Sequence, residues 1–224
     1  MIVPRHRYVP MDLKKLLLLA VCLLVLTGQV TAQQVAGAKK RNYEDQVRPM
    51  SVALALGIAR GFAADLKKMN DLMESDDTIK LIVREVPSLG KDLPSTAFLE
   101  KLPIDKRIEA IDNAASHYRD LLKASDRWQF DAGTTFVNSI TPIMTATKQG
   151  EGVDVTKLDE TVIKQNLRRL AELTSKPPPD FPKEVLEKLT LFAAFSTKEH
   201  LLTVANLNSL VTAMMDVAET ISPD

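Results

Sequence analysis

A single cysteine and three histidines in 224 residues leave little material for thiol or imidazole chemistry. Cys22 lies in an apolar stretch near the N-terminus, so a chain that sheds this stretch has no thiol. Disulfides, thiolate catalysis and cysteine-held metals or clusters are then excluded. An excess of either charge is also lacking: Lys and Arg total 29, as do Asp and Glu. Without a basic face there is no electrostatic ground for a nucleic-acid partner. No Gly-x-Ser-x-Gly, His-Glu-x-x-His, Walker loop or dinucleotide fingerprint occurs. Nor does any Asn-x-Ser/Thr sequon follow the apolar stretch, which together with the missing disulfides leans toward a bacterial periplasmic or secreted protein.

The one long apolar run is Leu16 to Leu26, eleven residues. A membrane span needs about 20. Lys14 and Lys15 precede the run, and Val30-Thr31-Ala32 places small residues where a signal peptidase requires them, so residues 1–32 are expected to be a cleaved signal peptide. Met11 gives a more conventional start than Met1. Leu19-Ala20-Val21-Cys22 has bulky Val21 before the cysteine, which argues against a lipidated terminus. The leader holds Arg5, Arg7, Lys14, Lys15 and Asp12, so its removal leaves 192 residues with 25 basic and 28 acidic groups, net −3. That length suits one ordinary domain or two small ones. Residues 33–48, polar and carrying Lys39-Lys40-Arg41, are expected to be a flexible tether, and 49–224 the folded domain.

From Pro49 onward the apolar residues recur at spacings of three and four, so the expected fold is all-α, a single bundle of about six to eight helices with no credible strand. Val52, Ala55, Ala59, Phe62, Leu66, Met69 and Met73 mark a first long helix. Ser75-Asp76-Asp77 cap a short segment ended by Pro87. Pro103 opens a helix burying Ile104, Ile108, Ile111, Ala115, Tyr118 and Leu122. Another helix is expected from Asp131 to Thr147, after a connector with Trp128 and Phe130, interrupted at Pro142. Leu158, Val162, Leu170 and Leu173 define a helix over Thr156 to Thr174 with Asn166 in the middle of its buried arc. The Lys176 to Pro182 segment is stiff and reads as a boundary or rigid crossover. Ser196-x-x-Glu199 reads as a capping box for a last helix carrying Val204, Leu207, Val211, Met214, Ala218 and Ile221.

No residue stands out as catalytic, cofactor-binding or metal-ligating, and no cofactor is expected. His200, placed by the capping box against Phe195, reads as a packing residue. A haem ligand there, with Met69 or Met73 opposite, is disfavoured by the absence of a Cys-x-x-Cys-His attachment. His117 has Asn113 and Asp120 on its helical face but too few companions for zinc. Glu74-Ser75 invites comparison with the helix-ending glutamate of lysozyme-like transglycosylases, yet no Gly-Leu-Met-Gln run follows and no apolar pocket is indicated to raise its pKa. The carboxylates Glu109, Asp112, Asp159, Glu160 and Glu184 read as solvated-face charges. Gly57-x-x-x-Gly61 reads as close helix packing within the chain, with a dimer face as the other reading. The function expected is a non-catalytic interaction or structural protein of the bacterial cell envelope, periplasmic or secreted, with a protein or apolar ligand as partner. Two alternatives stand beside it. One is a carrier of an apolar ligand in a bundle interior rich in Met69, Met73, Met144, Met214 and Met215 with Phe192 and Phe195. The other is a hydrolase of cell-wall polymers.

Overall fold

In the computed structural model the described residues are 8–9, 43, 46–65, 101–148 and 152–221. Six α-helices occur among them: α1 (Arg48–Gly61), α2 (Ile104–Leu121), α3 (Ala124–Ala146), α4 (Glu160–Thr174), α5 (Lys183–Ala193) and α6 (Val204–Ile221). The all-α expectation holds for this part of the chain. None of these helices is long and apolar enough to cross a membrane. Expectations on the leader, on Leu66, Met69, Met73 and Glu74, and on the short segment ended by Pro87 lie outside the described residues.

α3 is the central element, with α1 on one side and α4 on the other. Its contact with α1 is made by missing side chains. A Cβ on Gly57 would run into Val137, one on Gly61 into Thr141, and one on Gly133 would lie 2.8 Å from the Met50 carbonyl oxygen. Gly57 and Gly61 therefore serve packing within the chain. Around this crossing Met50, Phe136, Ile143, Ile163, Leu167, Leu170, Leu189 and Phe192 are fully buried. Phe136 of α3 meets Phe192 of α5 edge-on, with ring centroids 4.8 Å apart. Of the expected core, Phe62, Ile111, Tyr118, Leu170, Val211 and Met214 are all buried.

Several boundaries and faces differ from expectation. Packing begins before Pro49: Tyr43 and Val47 are buried, and the Tyr43 hydroxyl donates to Glu184 at 3.0 Å, so part of the 33–48 segment belongs to the folded unit. α3 starts at Ala124 and runs unbroken through Pro142, taking Trp128 and Phe130 into the helix. Proline lacks the N–H that would bond the carbonyl four residues back. That carbonyl, of Asn138, instead accepts a long hydrogen bond from Asn166 Nδ2 on α4 (3.4 Å). Asn166 thus has the partner across the bundle that its place in the arc suggested, but it is only half-buried. The buried face of α4 is Ile163, Leu167, Leu170 and Thr174, one residue on from the expected stripe, and Val162 is 45 % exposed.

α2 is rotated likewise. Its buried face is Arg107, Ile111, Ala114 and Tyr118, while Ile104 is exposed. The reason is polar: Arg107 Nε donates to the Leu102 carbonyl (2.8 Å) and Nη1 to that of Ala63 (3.0 Å), tying the end of α1 to the start of α2. Arg119 at the far end of α2 grips Asp131 of α3 through Nε (2.6 Å) and Nη2 (2.8 Å). The proline-rich stretch is a crossover from α4 to α5. Phe181 within it is buried edge-on against Trp128, whose indole N–H donates to the Leu173 carbonyl in the last turn of α4.

The expectation of no strand is also corrected. β2 (Thr147–Lys148) and β3 (Gly152–Asp154) pair antiparallel, and Gly152 adopts φ +93°, which glycine takes without strain. β1 (Tyr8–Val9) adds to the other edge of β3, with Tyr8 opposite Asp154. These residues precede Met11, so they belong to the leader as the sequence reads it.

The capping box at Ser196 does not form. Ser196 lies in a 3-10 turn (Ala194–Thr197), and α6 starts only at Val204, where the Thr203 hydroxyl accepts from Asn206 N (3.3 Å). The intervening turn is held from outside. Glu160 Oε1 on α4 accepts from Leu201 N (3.0 Å) and from Lys164 Nζ, and Lys164 also donates to the Glu199 carbonyl (2.8 Å). The Lys164 ammonium first, then the Leu201 N–H, hold the Glu160 carboxyl below the usual range. A carboxylate with a depressed folded-state pKa contributes stability above its unfolded pKa, about 4.3, and that contribution is lost as pH falls through the lower folded value. Glu160→Gln is therefore expected to cost on the order of 1 kcal/mol at neutral pH. Urea titrations of both proteins should show the difference shrinking below about pH 4.3; a difference that persists undiminished in acid would refute this role.

Candidate functional site

Where α1, α2, α3 and α4 come together lies a cleft of about 410 Å³, with Ala53, Gly57 and Ala115 in its lining. Leu56, Ile111, Phe130 and Val162 supply its apolar surface, and Arg60, Asp112, Thr134, Asn138 and Asn166 its polar groups. Helical spacing explains the grouping. Thr134 and Asn138 are one turn apart on α3, Val162 and Asn166 one turn apart on α4, and Gly57 and Arg60 three apart on α1.

Among the described residues lining the cleft, charge is balanced. Arg60 Nε donates to Asp112 Oδ1 at 2.7 Å, joining α1 to α2, with both side chains close to half exposed. At that exposure the pair is worth at most about 1 kcal/mol and can rearrange around a ligand. The neutral groups are more telling. Thr135, Ser139, Thr141 and Thr145 on α3, and Thr147 just after it, each donate a hydroxyl to the carbonyl four residues back. Thr134 does not, and its hydroxyl and the Asn138 amide make no hydrogen bond with any described residue. Asn166 uses only its Nδ2, which leaves Oδ1 as an acceptor.

The residues singled out in the sequence fall elsewhere. The His200 side chain is 75 % exposed in the turn before α6, and the backbone carbonyl of this residue accepts from Asn206 Nδ2 (2.7 Å), so it is not a packing residue against Phe195. The capping box that placed it there is replaced by Glu160. His117 is exposed on α2. Among the described residues no three His, Cys, Asp or Glu side chains gather as metal ligands. Asp159 caps α4 through Thr161 N (2.9 Å) and Val162 N, Glu109 pairs with Lys106, and Glu184 receives the Tyr43 hydroxyl. Met144, Met214, Met215 and Phe192 are buried in the core, and none of them lines the cleft. Of the candidate residues singled out in the sequence, Gly57, Asp112 and Asn166 line it. Thr134 and Asn138 went unnoticed; the available signal was Pro142, which marks the Asn138 carbonyl as one lacking its helical donor.

Comparison of the chain with known protein families, with curated proteins and with solved structures finds no match.

Proposed function

We propose that the protein is an exported, non-catalytic interaction protein of the bacterial cell envelope, and that the four-helix cleft is where it meets its partner. Export is supported by the leader at Met11 to Ala32. Binding is supported by one observation above all: the cleft presents the Thr134 hydroxyl, the Asn138 carboxamide and the Asn166 Oδ1, none of which bonds a described residue, beside an apolar wall. Such a combination of apolar surface and a few convergent polar groups is what ligand sites use to gain both affinity and orientation. Catalysis would need a base, nucleophile or oxyanion donor set within hydrogen-bond reach of one another, and among the described residues lining the cleft the only charged pair is an exposed Arg-Asp bridge.

Two measurements test this. The intact mass of protein recovered from the exported fraction should correspond to a chain beginning at Gln33; a retained leader or a diacylated Cys22 would overturn export. In a strain lacking the gene, Ala115→Trp, which fills the cleft from the half-buried face of α2, should fail to restore the lost phenotype while the protein stays folded. His117→Gln with His200→Gln should restore it. A folded Ala115→Trp protein with full activity in the cell would remove the cleft from the function.

A further inference from the structure

Resting on that reading, we infer that the occupant of the cleft is an uncharged stretch of polypeptide, one apolar side chain seated against Leu56, Ile111 and Phe130 and its backbone amides bonded by Thr134, Asn138, Asn166 and Arg60. The lining decides this by what it would penalise. A purely apolar ligand would desolvate the Thr134 hydroxyl, the Asn138 carboxamide and the Asn166 Oδ1 without giving them partners, a cost that grows with burial. An anionic ligand would meet Asp112, whose Oδ1 is 2.7 Å from the guanidinium any anion would seek, and a cationic one would meet Arg60. Among the described lining residues the two charges cancel, which favours a ligand without net charge.

What remains is a neutral group with both donors and acceptors, which is the chemistry of a peptide bond. The lining answers each side of it. Arg60 has N–H groups beyond the Nε that Asp112 occupies, Asn166 Oδ1 accepts, and Thr134 and Asn138 do either. The volume, about 410 Å³, lies toward the lower part of the range of small-ligand sites, so it accepts a short segment and not a whole helix. The open carbonyl of Asn138 adds a further acceptor should a ligand N–H displace the long bond from Asn166.

The test uses the exported protein purified from cells grown on a 15N source, with N-acetyl-Ala-Leu-Ala-amide as probe. The expected result is saturable shifting of the Asn138 and Asn166 side-chain amide signals, with a Kd below about 1 mM. The same peptide with a free carboxylate should bind several-fold more weakly. Thr134→Val with Asn166→Leu should weaken binding of the capped peptide by about tenfold or more. Should the double variant not fold, Thr134→Val alone, which breaks no hydrogen bond of the described fold, must weaken it measurably. No saturable shift with the capped peptide overturns the inference. If decanol then saturates the same signals, the cleft still binds and only the ligand class is wrong; if none of the probes does, the binding reading falls too.

Discussion

Gly133→Ala is expected to destabilise the protein by about 1–3 kcal/mol, although intrinsic helix propensity alone would favour the alanine by about 1 kcal/mol. The two effects have opposite signs, so the sign of the result decides between them. Gly133 lies inside α3, where an added Cβ would stand 2.8 Å from the Met50 carbonyl oxygen and 3.0 Å from the Ala53 Cβ. The first of these is backbone within α1, and Met50 is fully buried, so neither can step aside without moving a helix. Gly57→Ala should behave alike, since its Cβ would meet the buried, β-branched Val137. Urea unfolding of both variants measures this. Stability equal to or above that of the parent would show that α1 and α3 do not cross where the glycines meet.

The larger loss is expected from Phe136→Ala, about 3–5 kcal/mol, corresponding to a fall in Tm of roughly 10 °C for a domain of this size. Phe136 is 1 % exposed and meets Phe192 edge-on at 4.8 Å, so truncation removes apolar transfer energy and leaves a cavity in the middle of three helices. A double-mutant cycle with Phe192→Ala should give a coupling of about 0.5–1.5 kcal/mol, the part belonging to the ring pair itself. Leu191, one residue away and 62 % exposed, is the control: Leu191→Ala should move stability by no more than about 0.5 kcal/mol. If Phe136 and Leu191 truncations cost alike, the core does not lie between α3 and α5.

Helical character was legible from residue spacing because a buried face must repeat at three and four along the chain whatever it packs against. The faces themselves were legible only where one stripe was unambiguous. On α6, Leu207, Val211, Met214 and Ile221 of the expected stripe are buried, while Val204 at its start is 47 % exposed. On α4 two stripes competed, Val162 with Asn166 and Ile163 with Leu167, and which one faces inward depends on where α3 lies. Asn166 in the middle of an apolar arc was itself a sign that the arc ran slightly off the core. On α2 the stripe turned because a charged residue, Arg107, finds two backbone carbonyls to bond, and these come from Ala63 and Leu102, the first of which is distant in sequence.

Local sequence rules failed at Pro142 and at Ser196 for a related reason. Proline in a helix and a Ser-x-x-Glu run each describe what the backbone does when its orphaned groups have only local partners. Here tertiary partners intervene: Asn166 reaches the Asn138 carbonyl that Pro142 leaves open, and Glu160 with Lys164 takes up the turn that Ser196 and Glu199 were expected to cap.

Spacing, composition and the single cysteine by themselves determined that this chain is helical, that its acidic and basic groups are balanced and that it has little thiol or imidazole chemistry to offer. They did so because periodicity and residue inventory do not depend on which helices become neighbours. The cleft was decided by the tertiary structure alone. Its lining comes from four helices, and its capacity to bond a ligand from the Thr134 hydroxyl, the Asn138 amide and the Asn166 Oδ1, which only the finished packing leaves without a described partner.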